Sequence, residues 1–109
     1  MDNITIKLYP IEYSYLFGAL ERNKKNVDLL GLNSHVGSLC LEALYVRKQN
    51  NLRRNALSRS KLPRQLTLKP IEARALYDAL RISDSPFAKT IFGHLDRALI
   101  NAGFNNLSC

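Results

Sequence analysis

Arg47, Lys48, Arg53, Arg54, Arg59, Lys61 and Arg64 fall within one stretch, RKQNNLRRNALSRSKLPRQ (residues 47–65), that contains no acidic residue. Clustered cations of this kind neutralise phosphates, and binding of that sort weakens steeply with salt. Asn50, Asn51, Asn55, Ser58 and Ser60 lie between them and can add hydrogen bonds. No aromatic is interleaved, which argues against a stacking platform for single-stranded bases. The same composition also suits a solvated connecting segment, an acidic protein surface or an anionic membrane surface. The chain carries sixteen Lys and Arg against nine Asp and Glu, a net charge of +7. The stretch holds seven of the sixteen, so the rest of the chain is neutral.

Other chemistry-bearing residues are sparse. His35 and His94 are the only histidines, and neither sits in a metal-ligand pattern. Cys40 is flanked by Leu39 and Leu41, the setting of a buried thiol, and Cys109 ends the sequence; a disulfide between them is not expected. Cys40 and His35 are five residues apart, off the i, i+4 spacing that would bring them together on a helix. No Gly-rich phosphate loop is present. Neither a catalytic site nor a metal or other cofactor is expected, and the chain reads as non-enzymatic.

The elements that would position the cations follow from a repeat. Residues 6–20, IKLYPIEYSYLFGAL, match residues 66–80, LTLKPIEARALYDAL, at seven of fifteen positions, including Pro-Ile-Glu. Each copy opens with alternation: Ile4, Ile6 and Leu8 against Asn3, Thr5 and Lys7, then Leu66 and Leu68 against Gln65, Thr67 and Lys69. That period of two predicts a short half-buried strand. Pro10 and Pro70 suit a first helical turn, and Glu12 and Glu72 place negative charge there. Tyr13, Leu16, Phe17 and Leu20 then form a helical stripe, with Ala73, Leu76, Tyr77 and Leu80 as its counterpart.

A second helix follows in each copy. Ser85 as N-cap and Pro86 as first residue open the later one, which runs through Phe87, Ala88, Ile91, Phe92, Leu95, Ala98, Leu99 and Ala102 to Gly103. The earlier one starts near Asn33 or Ser34, with Leu39, Ala43 and Val46, together with Cys40 and Leu44, as its buried side. It is expected to continue into the basic stretch to about Ser58. A longer connection, about residues 22 to 33, separates the first pair of helices.

The expected architecture is α+β in one domain (1–109), mainly α with a small β ribbon. Two strand–helix–helix units, about 3–48 and 65–103, are joined by the basic segment at about 47–65. The strands pair antiparallel about a pseudo-two-fold, with four helices backing the ribbon; pairing between chains is the alternative, so the chain is a monomer or a homodimer. Strand, helix, helix is the order of the ribbon-helix-helix DNA-binding family, and the chain resembles two such units fused in tandem. GLNSH at 31–35 is similar to that family's Gly-x-Ser opening of the second helix; SDSP at 83–86 departs from it. The resemblance implies transcription regulation, with outward strand residues, here Asn3, Thr5 and Lys7 with Gln65, Thr67 and Lys69, reading the major groove of DNA. Lys7 and Lys69 read first as ordinary solvent-facing strand residues, with a paired contact on the ribbon as the alternative.

Nucleic-acid binding, to DNA rather than RNA, is therefore the first functional expectation. A protein-interaction module, acting as inhibitor, adaptor or assembly protein, is the alternative. Tyr9 and Tyr15 would be its interface anchors, although Tyr15 reads first as closing the core edge under the longer first connection. The sequence has neither an apolar run long enough to span a bilayer nor the features of a signal peptide, so a cytoplasmic location without a membrane partner is expected.

Overall fold

The structure, a computed structural model, describes residues 3–31 and 35–103. Its order is β1 (Ile4–Leu8), α1 (Pro10–Leu30), α2 (Val36–Ala56), β2 (Arg64–Leu68), α3 (Pro70–Arg81) and α4 (Pro86–Asn101). The protein is thus mainly helical with one two-stranded antiparallel sheet. No described helix is long and apolar enough to cross a membrane.

Alternation in the strands has the effect expected of it. Ile4, Ile6, Leu8, Leu66 and Leu68 are all at least 96% buried, while Thr5, Lys7 and Gln65 are exposed. The pairs run Ile4 to Leu68, Thr5 to Thr67, Ile6 to Leu66, Lys7 to Gln65 and Leu8 to Arg64, within the chain. Five inward apolar side chains are too few to hold a two-stranded ribbon alone. The helices supply the rest: Leu16, Leu20, Leu44, Leu76, Ile91 and Leu95 pack into the same core.

Pro10 and Pro70 occupy the first turns of α1 and α3, as expected. Glu12 and Glu72 do more than complement the helix dipole. Each turns back to accept the backbone N–H of the residue before the proline, Tyr9 N–H to Glu12 Oε1 and Lys69 N–H to Glu72 Oε1, both at 2.8 Å. Both side chains are buried, at 4% exposure. Ile11 and Ile71, between the proline and the glutamate, face solvent instead.

Three expectations require correction. The first helix does not give way to a connection at residue 22. It continues to Leu30, because nothing from Glu21 to Leu30 breaks a helix, and Gly31, with φ 59°, ends it. Lys24 pairs with Asp28 one turn on, and Asn23 Nδ2 donates to the Ser38 carbonyl of α2 at 2.9 Å. Next, α2 begins at Val36 with His35 as N-cap, its Nδ1 accepting from Gly37 N–H; Asn33 and Ser34 lie outside the described residues.

The buried side of α2 is also rotated from the expected one. Leu39, Ala43 and Val46 are exposed and Cys40 is half-buried, while Leu41, Leu44, Tyr45 and Leu52 are buried. Tyr45 fixes the rotation by stacking on Phe17 of α1, with ring centroids 5.7 Å apart. In the later helix, Ala88, Ile91, Leu95 and Leu99 are buried as expected, Phe87 and Ala102 exposed. Ser85 is its N-cap residue by backbone, without a side-chain capping bond.

Candidate nucleic-acid interface

The outer face of the ribbon carries Asn3, Thr5, Lys7, Gln65, Thr67 and Lys69, all exposed except half-buried Thr67. Every one can donate a hydrogen bond and two are cationic. Thr5 and Thr67 face each other across the strands with hydroxyl oxygens 3.3 Å apart. Lys7 and Lys69 are both solvent-facing and are not paired with each other. Lys7 lies opposite Gln65, and Lys69 follows Leu68, the partner of Ile4. At strand rise, four residues of offset put them about 13 Å apart along the ribbon.

α2 runs through the basic stretch as far as Ala56, close to the expected end, so four of those seven cations are set on a helix. The set nevertheless divides. Arg47 is committed to Glu72: its Nε donates to Oε2 at 3.2 Å and a terminal guanidinium nitrogen to Oε1. Arg53 lies over the Phe17 ring, 5.5 Å from its centroid. Lys48 is half-buried. Arg54 and Arg64, with Asn51, Asn55, Ser58 and Gln65, line a polar cavity of about 460 Å³ at the β2 edge. Arg59 and Lys61 are exposed on the connection between α2 and β2. Two serine turns shape it, Ser58 Oγ accepting from Ser60 N–H and Ser60 Oγ from Leu62 N–H, each at 3.2 Å.

The opposite edge has cations that sequence reasoning missed. A groove of about 670 Å³ runs between β1 and the second half of α4, lined by Thr5, Lys7, Tyr9, Pro63, His94 and Arg97 among others. His94 and Arg97, with Asn101, recur at helical spacing on the flank of the buried Ile91, Leu95 and Leu99, a signal present in the sequence once α4 is placed. Nothing in the sequence indicated which strand that flank would meet.

Local electrostatics are dominated by burial. Tyr13 is fully buried and its hydroxyl donates to the Arg64 carbonyl at 3.0 Å. Burial pushes its pKa up to about 12, against smaller opposing effects of Arg64 and Asn55. Burial, and then the Asp96 carboxylate that accepts its hydroxyl at 3.2 Å, also raises Tyr77. Glu12 Oε2 is buried without a hydrogen-bond partner among the described residues, with His94 Nε2 at 3.4 Å.

Of the two tyrosines singled out as interface anchors, Tyr9 is 49% exposed. Tyr15 is half-buried, shares a hydrogen with Ser83 Oγ at 3.3 Å and packs its ring 5.9 Å from Phe87. It closes the turn between α3 and α4 instead of projecting from the surface. Cys40 is a free thiol, and Cys109 lies outside the described residues. Among the described residues no three His, Cys, Asp or Glu side chains come together as a metal site would need. Comparison with protein-family models, curated proteins and solved structures finds no match.

Proposed function

We propose that the protein is a non-enzymatic nucleic-acid-binding regulator that seats duplex DNA on the outer face of its ribbon. One observation carries the reading: among the described residues no helix covers that face, and each of its six side chains can donate a hydrogen bond to a base edge or phosphate. Cations stand on both sides of it, Arg97 beside β1, and Arg54 together with Arg64, the first residue of β2, at the other edge, where flanking strands of phosphate would run. The basic segment therefore supports the ribbon from one side and does not act as an independent tether.

The same reading includes an internal duplication with a pseudo-two-fold axis through the ribbon. The central pair, Ile6 and Leu66, are sixty positions apart, the displacement of the sequence repeat. The second helices align at a displacement of forty-seven. That alignment equates Arg47 with His94 and Tyr45 with Phe92. Phe17 on Tyr45 is then matched by Tyr77 on Phe92, and Arg47 on Glu72 by His94 on Glu12.

The test is anisotropy of labelled duplex DNA and RNA titrated with protein over a range of salt. Lys7→Glu and Lys69→Glu are expected each to weaken DNA binding about tenfold or more, and Arg54→Ala to lower the salt slope by about one. Unchanged affinity in both lysine variants, or no binding at about 50 mM salt, overturns the ribbon reading. Retention of a specific protein partner without nucleic acid would favour the interaction-module reading.

A further inference from the structure

α2 exposes a stripe whose first half lies outside the core formed by the described residues. Its exposed positions include 36, 39, 43, 46, 50 and 53, and residue 57 follows just beyond its end; their spacing alternates three and four. That is the spacing two packed helices present to each other. The core takes different positions on the same helix: Leu41, Leu44, Tyr45 and Leu52. The first four stripe residues are Val36, Leu39, Ala43 and Val46, and all are apolar. Val36 is 71% and Val46 52% exposed, an unusual run for a monomer to leave in water. Leu29 and Leu30, at the end of α1 that leads into this helix, are exposed as well.

We propose that this stripe is the seam of a homodimer in which two copies of the chain pack their α2 helices antiparallel. Two features select a second copy as the occupant. The spacing of Val36, Leu39, Ala43 and Val46 reads the same in both directions, so the stripe is complementary to itself when reversed. Reversal sets Val36 of one copy against Val46 of the other, two side chains of equal size, and Leu39 against Ala43, large against small, so the layers fill evenly. Charge fixes the direction. Arg47, Arg53 and Arg54 crowd the second half of the exposed face, and the apolar half carries no exposed charge from Val36 to Val46. Parallel packing would stack the arginines on their own copies; antiparallel packing overlaps the apolar halves and sends the basic halves apart. The seam shares no residue with the ribbon face, so its failure and that of the DNA reading are separable.

Sedimentation velocity on the full chain tests this. A patch of three helical turns lies at the small end of stable interfaces, so a dimer with micromolar dissociation constant is expected. Leu39→Glu and Val46→Glu should each raise that constant about tenfold or more while leaving the far-UV circular dichroism unchanged. Leu62→Glu, at an exposed leucine off the helix, should leave it alone. Orientation is read by mixing Val36→Cys and Val46→Cys proteins, each also carrying Cys40→Ser and Cys109→Ser, and oxidising them: mixed disulfides are expected in excess of self-linked ones. A single-chain mass up to about 300 μM, or a dimer that survives both glutamates, overturns the proposal. Self-linked products alone overturn the antiparallel arrangement.

Discussion

Glu12 and Glu72 begin their helices within the same tripeptide and bury the same carboxylate, yet the cationic or basic side chains that meet them differ. Glu72 receives two hydrogen bonds from the Arg47 guanidinium. Glu12 has an imidazole nitrogen at 3.4 Å and one oxygen with no hydrogen bond from the described residues. The backward bond to the residue before proline is a local matter, set by three residues of sequence. The compensating cation arrives from a distant helix and is free to vary. Burial of the carboxylate is thus a property of the turn, whereas its neutralisation is a property of the assembled fold.

The sharpest way to break this contrast is to remove each cation. Arg47→Ala strands a buried carboxylate and is expected to cost about 3–5 kcal/mol in urea unfolding. His94→Ala should cost no more than about 1–2 kcal/mol, since it removes no well-formed hydrogen bond. Equal losses would show that the imidazole serves Glu12 as fully as the guanidinium serves Glu72.

The residue after each glutamate also differs, Tyr13 in one turn and Ala73 in the other. Tyr13→Phe removes the bond to the Arg64 carbonyl and should cost about 1–2 kcal/mol at neutral pH. The Tyr13 pKa is raised to about 12 in the fold from an ordinary 10.0, so its neutral form is the one folding favours. Its contribution is complete below pH 10 and is lost as pH rises from there through about 12. The phenylalanine variant should therefore lose less stability over that interval, as circular dichroism against pH would reveal.

The smallest effect is expected at Glu12 itself. Glu12→Gln keeps an acceptor for Tyr9 N–H and removes a buried charge, so unfolding should change by less than about 1 kcal/mol. Glu72→Gln leaves Arg47 without its ion-pair partner and should cost more. A reversed order would place the charge-dependent contact at the histidine.

Much of the architecture was legible because strand alternation, first-turn prolines and the Pro-Ile-Glu repeat are local signals. Helix α3 has a single apolar stripe, and its buried face was read correctly. Helix α2 has two, Leu41, Leu44, Tyr45 and Leu52 beside Val36, Leu39, Ala43 and Val46. Periodicity alone cannot choose between stripes of equal period; the choice was made by Phe17, an aromatic on another helix. The length of α1 was missed because polar residues from Glu21 to Asn26 resemble a connection, although none breaks a helix. At the candidate site, the outward strand residues were legible from alternation. Commitment of Arg47 to Glu72 and the approach of Arg97 to β1 were not, since both are contacts between segments far apart in sequence.

The outer face of the ribbon has unlike ends. Tyr9 and Pro63 border the groove at one end, and Asn3 and Lys69 lie at the other. A molecule laid along it meets an aromatic and a proline ring first and an ammonium last, or the reverse. A pair of identical strands would give the two directions equal standing. Here they differ in chemistry, so a ligand laid on this surface would be held with a defined polarity, and a duplex bound there would have a left and a right.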